Sequence, residues 1–149
     1  MLKQQKYELG QTLMLALSDF QGRLDADLKR RGVVGIRGRH RAVFMHLDRF
    51  GASRSVELAA AAGIRPQSMM KIVHEMEELG LVTRSADPSD SRAKLIGFTQ
   101  AGQDLIEELT RSTEAVWEQY AELLGEAELS QTLDALGKLP SSNTHGEKQ

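Results

Sequence analysis

A mainly helical fold carrying one small β-hairpin is predicted by three observations. Apolar residues recur every three or four positions over most of the chain. Between residues 81 and 99 that period gives way to two short β-like runs around an Asp-Pro pair. Beyond the second run, Thr99 stands as a helix cap and the helical period resumes. A chain of 149 residues is long enough for one folding unit with a real core and short for two.

Taken in order, residues 5 to 30 place Leu9, Leu13, Leu17, Phe20, Leu24 and Leu28 three or four apart, and Met14 and Leu15 widen the apolar stripe. So broad a surface on a terminal helix exceeds what one small core covers and predicts a second subunit; the plainer alternative is a helix wrapped by its own domain. Lys29, Arg30, Arg31 and Gly32 end it, with cations where the helix dipole favours them. After a connector at 33–37, a second helix is expected from Arg39 to Phe50 on Val43, Leu47 and Phe50. Arg37, Arg39 and Arg41 either reach phosphates or pair with acidic neighbours. A short third helix follows from Arg54 to Ala62, with Ser53 or Ser55 as its cap and Gly63 as its stop.

The fourth helix lies within Ile64–Val82. Met69, Ile72, Val73, Met76 and Leu79 form its apolar stripe, while Gln67, Ser68, Lys71, His74, Glu75 and Glu78 fall on other faces. Pro66 suits the first turn and Gly80 the left-handed stop. Leu81–Arg84 and Lys94–Phe98 then read as the arms of a hairpin whose charged tip holds Asp87, Pro88, Ser89 and Asp90. A long helix from Gln100 towards Leu124 uses Leu105, Leu109, Val116, Tyr120 and Leu123, Gly125 interrupts it, and a last helix spans about 127–136. The run from Ser141 has no apolar residue and is expected to be a disordered tail.

Helix, glycine turn, helix is the arrangement whose second member lies in a DNA major groove, and a protruding basic hairpin beside it is a wing. The net charge of −2 is at odds with this only until it is divided. Residues 29–100 carry +6, residues 101–149 carry −7 and the first 28 carry −1, so the positive charge sits where phosphates would be met. The competing reading is a set of solvated helix faces. No apolar run approaches the roughly 20 residues of a membrane span, and the start of the chain does not read as a signal peptide, so a cytoplasmic location is expected. With no cysteine, there is no disulfide, no thiol redox switch and no Cys-based metal site.

The ordered set of residues from Gly63 to Gly102 resembles the recognition helix and wing of the MarR family of transcriptional regulators. The likeness lies in the helix end at Met76, Glu77, Gly80, Leu81 and Val82, the Asp90–Arg92 pair in the wing, and Phe98, Thr99 and Gly102 leading into the next helix. The flanking helices extend it over about residues 5–137. It implies a winged helix-turn-helix with N- and C-terminal dimerisation helices: a first helix over 1–32, a DNA-binding region over 33–99, further dimerisation helices over 100–137 and a tail over 138–149. It implies a homodimer on double-stranded DNA, a repressor of an inverted-repeat operator, and release by a small-molecule effector bound between the dimer helices and the winged region. By alignment, Arg65, Gln67, Ser68, Met70, Lys71 and His74 form the reading face, with Ser55 on the preceding helix. Gln67 suits adenine, Met70 a thymine methyl, and Lys71 a guanine or a phosphate. In the wing, Arg84, Asp90, Arg92 and Lys94 complete the set, with Arg92 reaching the minor groove and Asp90 orienting it or the nearby backbone.

The rival classes have less behind them. No Gly-rich phosphate loop, GxSxG or HExxH is present, so an enzyme is not expected, and no cofactor either. His40, His46, His74 and His145 are scattered and are expected to be solvent-exposed rather than metal ligands. A winged helix that docks proteins instead of DNA is the remaining alternative.

Overall fold

The computed structural model describes residues 1–140, so the tail expected from Ser141 lies outside the described residues. The chain runs α1 (Leu2–Arg30), α2 (Gly38–Phe50), α3 (Ser55–Ala62), α4 (Pro66–Glu78), β1 (Val82–Asp87), β2 (Asp90–Phe98), α5 (Gln100–Leu124) and α6 (Glu126–Gly137). The mainly helical class with one antiparallel hairpin is what the periodicity predicts.

The main core gathers Val43, Phe44 and Leu47 of α2, Leu58 and Ala59 of α3, Met69, Ile72, Val73 and Met76 of α4, and Val82 and Ile96 of the hairpin. Burying each large side chain contributes about 1.5–3 kcal/mol, so α4 is anchored along its whole inner stripe. Leu79, expected on that stripe, is instead 49% exposed because the helix has ended: it is the C-cap, and Gly80 follows at φ +73°. A smaller cluster joins Leu24 and Leu28 of α1 to Val116 of α5, and Leu109 packs against both clusters.

Polar contacts complete the α1–α5 seam. The Tyr120 hydroxyl donates to Asp19 at 2.6 Å and Arg23 donates to Gln119 at 2.9 Å. Burial, with Asp19 beside it, pushes the Tyr120 hydroxyl up to about 12. Asp27 is buried and sits below the ordinary carboxylate range chiefly because Arg31 hydrogen-bonds to it at 2.7 Å. The outer part of α1 is uncovered: Leu9, Met14, Leu15 and Leu17 are all more than half exposed. Among the described residues, α1 joins this chain's own core through Leu24 and Leu28, with Phe20 packed against them.

Three local expectations change. Neither serine caps α3: Arg54 holds the cap position, and its N–H donates to the Glu57 carboxylate at 2.8 Å. Ser53 instead pairs with Ile96 of β2, tying the approach to α3 onto the hairpin. The strands are longer than their β-like runs, because backbone pairing continues through polar residues to Asp87 and Asp90. Phe50, expected on the stripe of α2, is 62% exposed.

Candidate nucleic-acid interface

The turn between α3 and α4 needs Gly63 in the left-handed region, φ +67°, and Pro66 opens α4 where a missing N–H costs nothing. Arg65 stands at the cap without a side-chain cap bond, so the first N–H groups of α4 remain open to solvent. With Met69, Ile72, Val73 and Met76 buried, Arg65, Gln67, Ser68, Lys71 and His74 are all exposed and Met70 is half-buried. The sequence-predicted reading set therefore shares one outward surface. Ser55, in the first turn of α3, is partly exposed.

Two of the three acidic residues near that surface are paired with arginines within the chain. Glu77 accepts from Arg84 at 2.7 Å and Glu75 accepts from Arg39 at 3.0 Å, while Glu78, 3.2 Å from His74 Nε2, is exposed. Arg84, expected beside DNA, thus braces the base of the wing against α4. Arg65, Lys71 and Lys94 are exposed and make no ion pair among the described residues.

The wing is fixed at its tip. Asp87 accepts the Ser89 N–H at 2.9 Å, the Ser89 hydroxyl at 2.7 Å and the Arg54 guanidinium at 2.7 Å. These contacts, the Ser89 backbone first and Arg54 last, bring its carboxyl down to about 2. Arg54 thus links the start of α3 to the hairpin, a role the sequence did not disclose. The strand register shifts between Ala86 and Asp87, leaving Ser91, Arg92 and Ala93 in an irregular stretch of β2. There Asp90 accepts the Arg92 N–H at 3.0 Å, while the Arg92 side chain is 92% exposed and its guanidinium lies 3.7 Å from Asp90. Asp90 orders the backbone, and the arginine head extends into solvent.

The hairpin is held to α5 by a close approach at Gly102. A Cβ there would come within 2.1 Å of the Leu81 carbonyl oxygen, so only glycine fits. Thr99 donates to the Gly80 carbonyl at 2.5 Å and accepts the Gly102 N–H at 3.1 Å, joining the end of α4 to the start of α5.

The expectation of solvent-exposed histidines fails at His40, which is 2% exposed. Its ring closes the first turn of α2 and reaches α4, since Nδ1 accepts the Arg37 N–H at 3.0 Å and Nε2 lies 2.9 Å from Glu75. Capping spacing, with a ring nitrogen three residues after Arg37, was the signal available in the sequence. Among the described residues no group of three His, Asp or Glu side chains is placed to hold a metal ion, and no helix is long and apolar enough to cross a membrane.

Between α1, α2 and α5 lies an open cavity of about 560 Å³, walled by Leu17, Phe20, Leu24, Phe44, Met45, Ile106 and Leu109. Arg41, mostly buried and paired with Asp25 of α1, is the cation on its wall. The volume is that of a small-molecule site.

A family model described as MarR family matches residues 34–93, which span α2 to the middle of β2. Solved structures extend the likeness over nearly the whole chain. A MarR-family transcriptional regulator from Rhodococcus sp. RHA1 is 26% identical, with a TM-score of 0.72 over 88% of this chain and 91% of that one. The winged centre of the chain is thus similar to the MarR family. CouR from Rhodococcus jostii RHA1, solved with p-coumaroyl-CoA bound, is 28% identical, with a TM-score of 0.70 over 87% of this chain and 89% of that one. A MarR-family protein from Bacillus stearothermophilus shares the fold at 21% identity, with a TM-score of 0.78 over 97% and 99% of the two chains. The MarR fold thus accounts for the helices at both ends as well as the winged centre.

Proposed function

We propose that this chain acts as a homodimeric repressor that reads an inverted-repeat operator and leaves it when a small organic ligand binds. The observation that carries the reading is the joint exposure of Gln67, Ser68 and Lys71 on α4 beside a solvent-exposed Arg92, 3.7 Å from Asp90, on a wing fixed by Asp87. Gln67 addresses adenine through paired hydrogen bonds, Met70 rests on a thymine methyl, and Ser68 and Lys71 serve base edges or phosphates. The open N–H groups at the start of α4 add a phosphate site, with Arg65 and His74 at either end of the surface and Ser55 behind it. Arg92 enters the minor groove, Lys94 meets the backbone, and Asp90 and Arg84 act by holding the wing.

The exposed leucines of α1, with Leu123, Leu124, Leu133 and Leu136 of the last two helices, supply the dimer surface. A partner there closes the open cavity, and its apolar walls with one arginine suit an amphipathic organic molecule. The ligand of CouR, p-coumaroyl-CoA, is of that kind. Filling the cavity changes the separation of the two α4 helices and so the fit to successive major grooves, about 34–36 Å apart.

The test is a titration of fluorescent duplexes selected from random DNA, at several salt concentrations. A log-log fall of affinity with salt, steeper for the selected duplex than one phosphate contact would give, is expected. Affinity independent of salt would overturn the reading.

A further inference from the structure

We infer that Glu75 is a positioning residue for DNA reading: tied to His40 and Arg39, it fixes how α4 is rolled against α2 and so connects the cavity wall to the reading face. This rests on the DNA-binding and ligand assignments above.

The geometry begins with the buried imidazole. Because His40 Nδ1 accepts the Arg37 N–H, the ring proton sits on Nε2, which donates to Glu75 Oε2 at 2.9 Å. Arg39 Nε donates to the same oxygen at 3.0 Å. One ring thus closes the end of α2 and grips α4. Apart from the Glu77–Arg84 contact to the wing at its far end, the rest of the α4 seat is apolar, made of Met69, Ile72, Val73 and Met76, and apolar contact is not directional. Against such a seat a helix can roll, and toward α2 a pair of directed hydrogen bonds opposes it.

Glu75 lies seven residues after Ser68 and four after Lys71, so the three share one edge of α4. A roll of about 20° at a radius of about 5–6 Å carries a side-chain tip about 2 Å, more than a hydrogen bond to a base edge tolerates. Holding Glu75 therefore holds Ser68 and Lys71 in register.

The same turn of α2 faces the cavity on its other side. Gly38, Arg41 and Ala42 line it, and Arg41 is anchored to Asp25 of α1. Residues 39 and 40 grip α4 while residue 41 grips α1, so a ligand that displaces Arg41 acts on the turn that sets the roll of α4.

The experiment uses the full chain, its best duplex selected from random DNA, a scrambled duplex and a parallel thermal melt. His40→Asn retains an acceptor for the Arg37 N–H and falls short of Glu75, Glu75→Ala removes the tether, and Glu75→Gln retains an acceptor for Nε2. His40→Asn and Glu75→Ala are expected each to lose about tenfold on the selected duplex with little change on the scrambled one. Glu75→Gln should stay within about threefold of the parent, and the double variant should be no worse than the poorer single. Arg41→Met should change selected-duplex affinity in the parent and lose that effect in Glu75→Ala.

A lower melting temperature with an unchanged ratio of selected to scrambled affinity would make Glu75 a stability contact only and overturn the inference. An Arg41→Met effect of equal size in both backgrounds would sever the link to the cavity. A parent chain that binds both duplexes alike would instead overturn the DNA-reading assignment beneath it.

Discussion

Asp87 illustrates how much a single side chain organises here. Its carboxylate joins the wing tip to the start of α3, and three hydrogen-bond donors hold its pKa near 2, below the ordinary 3.8. A carboxylate with a lowered folded-state pKa contributes stability that is present above its ordinary value and lost as pH falls through the folded one. The wing should therefore stay ordered down to about pH 4 and loosen between there and pH 2. Amide exchange across residues 85–94 checks this, and Asp87→Asn should show the loosened wing already at pH 7. Gly102 gives a second residue-scale prediction: Gly102→Ala drives a methyl against the Leu81 carbonyl and should cost about 1–3 kcal/mol in chemical denaturation, with the α4–α5 joint disturbed. On DNA, Gln67→Ala should lose about 1–3 kcal/mol at one base position and relax the preference there. Arg92→Ala should weaken all sequences alike and lower the salt slope by about one. Competition against single-base variants of the selected duplex separates the two.

At the scale of elements, the helices were legible because their inner stripes obey one period, and α4 was bounded within a residue or two by Pro66 and Gly80. The strand lengths were not, because polar residues such as Ser85, Ser91 and Arg92 give no alternation of burial in a hairpin with one side in water. His40 escaped for a related reason. Periodicity marks apolar residues, and a polar ring that is buried by hydrogen-bonding at both nitrogens leaves no mark of that kind. The same logic hid Arg54, whose partner Asp87 lies 33 residues away. The surplus apolar face of α1, by contrast, was legible from the leucine spacing and is present in the fold, where Leu9 is 61% and Leu17 56% exposed. Placing charge on it tests its proposed partner: Leu13→Asp with Leu17→Asp should give a monomer by light scattering while the helical circular dichroism of the winged centre persists. An unchanged particle mass would remove α1 from the interface.

For the molecule as a whole, the charge division read from the sequence takes on a finer form. Much of the +6 carried by residues 29–100 is engaged internally, since Arg39 pairs with Glu75, Arg41 with Asp25, Arg54 with Asp87 and Arg84 with Glu77. Of the exposed cations, Arg65 and Lys71 lie on α4 and Lys94 and Arg92 on the wing, where Asp90 holds Arg92 at 3.7 Å, while Lys29, Arg37 and Arg49 lie away from that surface. On the proposed function, affinity and register are carried by different arginines and lysines: the paired ones orient the elements, and the open ones are proposed to meet phosphate. In the proposed dimer, two copies related by a two-fold axis would place two such surfaces on one side of a duplex. The most direct test is a hydroxyl-radical footprint on the selected duplex together with the mass of the complex. Two protected clusters about one helical turn apart, with two chains per duplex, are expected. A single protected cluster, or one chain per duplex at saturation, would contradict the account.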